Sequence, residues 1–311
     1  MQNKKVIVIG GAGFIGSHLV DHLVETGNEV LVLDNLISGR KDFINPKAKF
    51  QWCDITHSEW SLFNLFKGYD YVFNYAAEPY VPCSYERPLH VFDINARAAL
   101  MVMNAAKEAG VKAVLQVSSA EIYGRVDGAI TEEDRATPHS TYGATKLAID
   151  TIVQTRWKEA GTQAIALRQF NCLGERDVLH PYVLPEIYRQ AKKGNIVRLG
   201  NNSFRDFMYV GDAVRMAVEL IENGHYGEVY NLGAQEGIKM YDLAHMVGAL
   251  LGKDIDVEPD ESRMRKWEIW HLQSDNSKIY GVIDSRPEVS LANAVRRTVD
   301  YYEENEDKWA F

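Results

Sequence analysis

Residues 6–18 read VIVIGGAGFIGSH, and this stretch decides the fold class. Four β-branched residues predict a buried strand, and the amphipathic segment from Leu19 to Glu25 predicts a helix. A strand, a glycine-rich turn and a helix in this order are the setting of a dinucleotide-binding site. Gly10 permits the tight turn, Gly13 lets the backbone approach a pyrophosphate, and Gly16 lets the helix pack close to the strand. The spacing G-x-x-G-x-x-G is one residue looser than the standard pattern.

An acidic residue follows the second predicted strand. Residues 29–33 form a short apolar run that ends in Asp34. At about this distance from the glycine turn an acid accepts hydrogen bonds from the ribose of NAD. Because the same acid would repel the extra phosphate of NADP, NAD is the expected cofactor.

Strand-like and helix-like segments then alternate as a parallel sheet requires. Further strands are predicted at 49–55, 69–77, 113–119 and 163–168, with helices at 96–110 and 142–161. The expected fold is α/β, a Rossmann-like doubly wound parallel sheet with a smaller C-terminal substrate-binding domain. We expect an NAD-binding Rossmann domain at 1–172 and a substrate-binding domain at 173–311. The boundary is soft, and the chain can return to the first domain around 205–235.

Composition limits the classes of partner. Apolar residues make up 46% and charged residues 25% of 311 residues, which is typical of a soluble globular protein. The net charge of −9 argues against nucleic acid and anionic membranes as partners. No signal peptide and no membrane-spanning run is expected. Three scattered cysteines lack metal-ligand spacing, so no metal site is expected and the thiols indicate a cytoplasmic protein.

Tyr142 and Lys146 stand four residues apart in a predicted helix, so their side chains share one face. The lysine charge favours the phenolate, and a tyrosine with a lowered pKa can act as a general base in alcohol oxidation. Taken alone, such a pair also occurs by chance on solvated helices. The nearby dinucleotide motif favours the catalytic interpretation.

The chain resembles the extended short-chain dehydrogenase/reductases, within the NAD-dependent nucleotide-sugar epimerase/dehydratase family. The resemblance runs from Val6 to about Tyr302. Its motifs are Gly10–Gly16, Asp34–Leu36, Asp54–Ile55, Asn74–Ala77, Ser118–Gly124, Tyr142–Lys146, Arg168–Asn171 and Arg205–Asp212. It implies catalytic roles for Tyr142, Lys146, Ser119 and Glu121. Expected cofactor contacts are Gly10, Gly13, Phe14, Ile15, Gly16, Asp34, Asn35, Asp54, Ile55, Ala76, Ala77, Asn95, Tyr142 and Lys146.

The resemblance also implies that Asn171 and Arg205 bind the diphosphate of a nucleotide sugar, and a guanidinium fork suits phosphate oxygens. Arg263 and Arg265, in the cluster 263–266, either add to this site or form a solvated basic turn. Tyr80 and Ser84 lie in the segment 78–85, which either walls the sugar pocket or is an ordinary loop. Helices 95–110 and 142–161 correspond to the dimer interface of the family, so a homodimer is expected.

Glu121 bears on the reaction. It stands where dehydratases and sugar-acid decarboxylases of the family carry a glutamate, whereas Ala120 departs from dehydratases that use an aspartic acid there. The best interpretation is a 4,6-dehydratase acting through a 4-keto intermediate. The alternatives are a 4-epimerase, then a decarboxylase, and, in a different class, an inactive NAD-sensing scaffold.

Overall fold

A seven-stranded parallel sheet forms the first layer of the computed structural model, which describes residues 1–178, 180–265 and 267–308. The strands are β1 (Lys5–Ile9), β2 (Glu29–Asp34), β3 (Lys49–Trp52), β4 (Tyr71–Asn74), β5 (Ala113–Ser119), β6 (Ala129–Ile130), β7 (Ala164–Gln169), β8 (Asn171–Leu173), β9 (Ile196–Leu199), β10 (Phe204–Tyr209), β11 (Val229–Leu232), β12 (Gly237–Lys239), β13 (Asp256–Pro259) and β14 (His271–Ser274). The helices are α1 (Phe14–Glu25), α2 (Glu59–Phe66), α3 (Cys83–Glu86), α4 (Pro88–Phe92), α5 (Ala98–Ala109), α6 (Thr141–Ala160), α7 (Val183–Lys193), α8 (Val210–Asn223), α9 (Met240–Leu250), α10 (Ser277–Tyr280) and α11 (Leu291–Glu304).

The strand order of this sheet is β11-β7-β5-β4-β1-β2-β3, and every neighbouring pair is parallel. The order reverses around β1, which has β2 on one side and β4 on the other. Since parallel strands end at the same edge, the carboxyl ends of β1, β2, β4, β5 and β7 meet there. A crevice at such a reversal is where open α/β sheets bind ligands.

Helices cover both faces of the sheet, which explains why β1 is apolar without alternation. α1 and α8 pack on one face. α2, α5 and α6 pack on the other. α6 begins at Ser140, whose side chain accepts a hydrogen bond from the Gly143 N–H, and ends at Gly161 in the left-handed conformation. These two caps fix the helix that carries Tyr142 and Lys146.

A second layer lies beyond the carboxyl edge. It combines a sheet of β12, β10, β14 and β6, with β8 paired to β10, and a separate pair of β9 and β13. α7, α9 and α11 enclose its core. Between these elements the chain returns to the first layer over residues 210–232, where α8 packs against the sheet and β11 adds its edge strand.

The predicted fold class is confirmed: the structure has a Rossmann-like parallel sheet with helices on both faces. β3 ends at Trp52 and β4 at Asn74, earlier than the predicted 55 and 77. Asp54, Ile55, Ala76 and Ala77 therefore lie in loops at the carboxyl edge. Within the described ranges, no helix combines the length and the apolar character needed to cross a bilayer.

Candidate active site

A cleft of about 1090 Å³ lies between the two layers, at the carboxyl edge of the seven-stranded sheet. Most residues expected from the sequence line it. These are Gly10, Gly13, Phe14, Ile15, Gly16, Asp34, Asn35, Asp54, Ile55, Ala76, Ala77, Ser119, Glu121, Tyr142, Lys146, Tyr80, Asn171, Arg205, Arg263 and Arg265. Asn95 and Ser84 do not line it.

The glycine turn packs so closely against the chain around it that a larger residue would clash at Gly10 and Gly16. Gly10 has a φ of +76°, and a Cβ on it would lie 2.7 Å from the Ala76 nitrogen. A Cβ on Gly16 would lie 2.1 Å from the Gly10 carbonyl oxygen. α1 follows without a side-chain cap at Gly13. Its first N–H groups therefore face the cleft, as a pyrophosphate requires.

Asp34 is a buried acid at the end of β2. Its carboxylate accepts hydrogen bonds from the N–H of Ala12 at 3.0 Å and of Leu36 at 2.8 Å. Burial raises the pKa of Asp34, and these two donors oppose the rise. Beside it, the Asn35 amide donates to Asp54 at 3.3 Å. Together the glycine turn and this acid fit the phosphates and the ribose of a dinucleotide.

Asn95 supports the cleft from behind. It lies in a π-helical turn between α4 and α5, and such turns recur at functional sites. Its side-chain oxygen accepts a hydrogen bond from the Glu78 N–H at 2.9 Å, and its amide donates to the Thr145 hydroxyl at 3.2 Å. Asn95 thus ties the loop after β4 to α6. This position fits a residue that supports the active site from the neighbouring helix, and a direct contact of Asn95 with the cofactor stays a prediction.

The two expected residues of the segment 78–85 have different positions. Tyr80 lines the cleft and its ring stacks on His180, with centroids 6.3 Å apart. Ser84 is fully buried, and its hydroxyl donates to the Val81 carbonyl at 2.7 Å. The expected substrate contact of Ser84 is therefore wrong, because its hydrogen bond serves the local turn.

Tyr142, Lys146 and Ser119 meet on the cleft wall where β5 ends beside α6. The Lys146 Nζ atom lies 5.7 Å from the centre of the Tyr142 ring and donates to the Val117 carbonyl at 2.8 Å. The Ser119 hydroxyl accepts a hydrogen bond from the Glu121 N–H at 3.1 Å. Both Tyr142 and Lys146 are buried.

The electrostatics of this group differ from the sequence-based expectation. Burial raises the pKa of Tyr142 to about 12, and a hydrogen bond with Ser119 opposes the rise. Burial lowers the pKa of Lys146 to about 8, opposed by the charge of Asp150. Without a bound ligand, burial, which penalises the phenolate, therefore outweighs the lowering of the tyrosine pKa expected from Lys146. A further positive charge in the cleft would favour deprotonation of this phenol.

Every arginine expected to bind substrate already contacts a carboxylate. Arg205 and Glu268 form a largely buried pair at 2.8 Å. Arg265 lies 3.4 Å from Glu121, and Arg263 lies 2.8 Å from Glu186. The side-chain amide of Asn171 donates to the Asp206 carbonyl at 3.1 Å. Lys266, the last residue of the predicted basic cluster, lies outside the described residues.

Further polar residues line the cleft although no role was predicted for them from the sequence. They include Glu78, Gln169, Asp177 and Tyr182. Gln169 ends β7 and Glu78 follows the Ala76–Ala77 pair, so a position just after a sheet strand could have marked both. Asp177 and Tyr182 lie in the loop between β8 and α7, and a loop has no periodic pattern from which the side chains that line the cleft could be predicted.

Three comparisons with known proteins agree with this geometry. A model of the NAD dependent epimerase/dehydratase family matches residues 6–233. The UDP-glucose 4-epimerase of Lactobacillus helveticus is 30% identical over 306 residues, covering 91% of this chain and 92% of that protein. A UDP-N-acetylglucosamine 4-epimerase structure from Methanobrevibacter ruminantium superposes with a TM-score of 0.90 at 29% identity, covering 98% of this chain and all of that one. A dTDP-glucose 4,6-dehydratase from Streptomyces venezuelae, crystallised with NAD, gives a TM-score of 0.90 at 28% identity, covering 98% and 99% of the two chains.

Proposed function

The chain belongs to the NAD-dependent epimerase/dehydratase family, and from this premise we propose that it modifies the sugar of a nucleotide-diphosphate sugar by way of a 4-keto intermediate. NAD is the cofactor of the family. Oxidation at C4 followed by reduction within the same cycle makes the net reaction redox-neutral. The single observation that carries the proposal is the meeting of Tyr142, Lys146 and Ser119 beside the glycine turn in one cleft.

The residues that would hold NAD are the glycine turn, Asp34, Asn35, Asp54 and Ile55. Bound NAD would supply the hydride acceptor and donor for the sugar, together with a positive charge that favours ionisation of a nearby phenol. Tyr142 then takes the proton of the C4 hydroxyl, and Ser119 holds the phenolic oxygen by a hydrogen bond. Lys146, fixed by the Val117 carbonyl, adds a second positive charge beside the ring.

Glu121 supports the 4,6-dehydratase as the specific reaction. After oxidation at C4 the C5 proton becomes acidic, and elimination needs a base for that proton and an acid for the departing C6 hydroxyl. Glu121 lines the cleft two residues after Ser119 and can take the C5 proton. The same proton, carried by Glu121, can then leave with the C6 hydroxyl as water.

A 4-epimerase is the second candidate, and Ala120 favours it. Its methyl group supplies no proton, so Glu121 would have to serve both steps of an elimination. Epimerisation needs no base other than Tyr142, because the keto sugar only rotates before it is reduced. The similar proteins named above include both kinds of enzyme.

The mass of the product distinguishes these reactions. We would incubate the protein with UDP- and dTDP-linked glucose, N-acetylglucosamine and glucuronic acid and weigh the products by mass spectrometry. Loss of water indicates the dehydratase, unchanged mass with a new stereoisomer the epimerase, and loss of carbon dioxide a decarboxylase. Binding of these compounds without turnover of any of them would contradict the proposal and favour a scaffold that only senses NAD.

The assembly expected with this function is a cytoplasmic homodimer. α4, which leads through the π-helical turn into α5 and packs against α6, exposes Leu89 at 79% and Phe92 at 49% of their surfaces. A second copy of the chain would cover these apolar side chains. Sedimentation should therefore give a dimer at micromolar concentration, and Phe92→Glu should dissociate it. Ile196→Glu, in the second layer, is the matched exposed control.

A further inference from the structure

Asp177 is a buried carboxyl group without a partner in the cleft. Only 3% of its surface is exposed, yet it lines the cleft. Among the described residues, no hydrogen bond or ion pair reaches its carboxyl group. Its backbone is fully engaged, since the Tyr302 hydroxyl donates to its carbonyl at 2.7 Å and its own N–H donates to the Gly174 carbonyl at 3.3 Å. The carboxyl is therefore the part of Asp177 that remains for the cleft.

The loop that carries Asp177 is clamped from several sides. The His18 ring on α1 donates to the Glu175 carbonyl at 2.7 Å, and Arg176 pairs with Asp21 on the same helix at 2.7 Å. The Tyr209 hydroxyl donates to the Glu175 carboxylate at 2.9 Å. Arg176 has a φ of +68°, a conformation that residues other than glycine rarely adopt. Strained backbone held this firmly is characteristic of functional sites.

Asp177 lines the same cleft as Tyr142, and Tyr182 is a neighbour of both residues. Tyr182 is close enough to both Tyr142 and Asp177 for a charge on either residue to raise its pKa. Asp177 also acts on the pKa of Cys172, which directly follows Asn171. Among the described residues, no arginine contributes to the pKa of Asp177.

Burial in the cleft wall favours the protonated, uncharged form of the Asp177 carboxyl group. Burial raises the pKa of its carboxyl group to about 8. The titratable groups that face it are Cys172 on β8, Tyr182 before α7 and Tyr302 on α11. Burial raises the pKa of each of them above its ordinary value and so favours their neutral forms. A neutral carboxyl differs from a carboxylate in that it can donate a hydrogen bond.

We propose that Asp177 is a ligand-contacting residue whose carboxyl donates a hydrogen bond to an uncharged acceptor oxygen at the reacting end of the bound ligands. Two groups bring such an oxygen to this end. One is the carboxamide of the nicotinamide ring. The other is a hydroxyl of the sugar, and this second source rests on the proposed function.

Pairs of probes that differ only in these groups separate the two sources. NAD and ADP-ribose differ by the nicotinamide, and UDP-glucose and UDP differ by the sugar. Their affinities would be measured by calorimetry on charcoal-treated protein for the wild type, Asp177→Asn and Asp177→Leu. The asparagine keeps a donor of the same size, whereas the leucine keeps the size and removes the donor.

For each pair, the advantage is the ratio of the affinity of the complete probe (NAD or UDP-glucose) to that of its truncated partner (ADP-ribose or UDP). We expect Asp177→Leu to lower this ratio about tenfold for one of the two pairs, which corresponds to the loss of one hydrogen bond. Asp177→Asn should keep that advantage within about threefold. In the wild type the advantage should decline between pH 7 and pH 9 as the carboxyl loses its proton, and in Asp177→Asn it should not. The ligand-free Asp177→Leu protein should melt at the same or a higher temperature, because it no longer buries an unpaired polar group.

Three results would overturn the inference. The affinity ratios could be unchanged in Asp177→Leu, or they could fall equally in Asp177→Leu and Asp177→Asn. In the third case Asp177→Leu melts at a lower temperature and binds all four probes more weakly by the same factor. The last result would indicate a structural role. None of these measurements requires turnover. If the wild type binds no nucleotide sugar, the proposed function fails while the NAD and ADP-ribose pair still decides the role of Asp177.

Discussion

The guanidinium of Arg265 lies 3.4 Å from the carboxylate of Glu121 and joins a residue of the second layer to the turn that follows β5. The acid that separates the two leading reactions is thus held by a contact across the cleft. Arg265 also acts on the pKa of Tyr142, which shows that both groups share one electrostatic environment. The roles of Glu121 and Tyr142 can therefore be separated only by changing them one at a time.

Replacing Glu121 by Gln should stop elimination while C4 oxidation continues, because only elimination needs a base for the C5 proton. In the wild type, product formed in heavy water should carry deuterium at C5. Mass spectrometry and proton NMR of the product check both statements. Glu133→Gln, an exposed acid outside the cleft, is the control. A product of unchanged mass without deuterium at C5 would point to the epimerase instead.

Replacing Tyr142 by Phe should lower kcat by at least the roughly 10²-fold expected from losing a general base, with the fold intact. Lys146→Met should lower the rate and move the onset of activity to higher pH. The reason is that the Lys146 ammonium, present below its pKa of about 8, favours the phenolate of a tyrosine that burial opposes. Initial rates between pH 6 and pH 10 test this, with the exposed Lys158→Met on the same helix as control. Normal kinetics in Tyr142→Phe would refute the mechanism.

Asp34 should make the protein prefer NAD over NADP. Its carboxylate is fixed by the N–H groups of Ala12 and Leu36, so it cannot turn away from a 2′-phosphate. Asp34→Asn removes the charge at constant size and should narrow the preference by about tenfold or more, a typical size for a single close charge interaction. Calorimetry with both dinucleotides measures this. Equal or tighter binding of NADP by the wild type would count against the assignment.

Replacing Arg205 by Met should destabilise the protein by about 3–5 kcal/mol, because the buried Glu268 carboxylate loses its ion-pair partner and keeps only neutral donors such as the Asn201 amide at 2.7 Å. Glu268 retains only 7% side-chain exposure. The exposed pair of Arg198 and Glu258 provides the control, and Arg198→Met should cost less than about 1 kcal/mol. Urea unfolding measures both. UDP affinity should also fall in Arg205→Met alone, and unchanged affinity would remove Arg205 from the diphosphate site.

The elements that carry strong local patterns were predicted well from the sequence. β5 spans the predicted 113–119, whose apolar residues Ala113, Val114, Leu115 and Val117 are typical of a strand in a covered parallel sheet. α6 matches the predicted helix within a residue at each end because Ser140 and Gly161 are strong caps. The local sequence of β11 does not indicate that this strand joins the first sheet, because strand pairing depends on residues far apart in the chain.

The candidate site was predicted in its residue types but not in its energetics. Tyr142 and Lys146 were placed on one helix face correctly, whereas the burial that raises the tyrosine pKa depends on surrounding elements. The ion pairs of the arginines could not be predicted from the sequence either, since Arg205 and Glu268 are 63 residues apart in the chain. Ser84 was misjudged because a hydroxyl in a loop satisfies its own backbone as readily as a ligand.

The paired arginines of the cleft have a kinetic consequence. Arg205, Arg263 and Arg265 each face a carboxylate, and the chain as a whole carries a net charge of −9. The charges of these three arginines are therefore largely offset before a dianion displaces their carboxylate partners. The association rate of the dianion should lie near the unsteered range of about 10⁵–10⁶ M⁻¹s⁻¹ and should rise with ionic strength, as salt screens the repulsion.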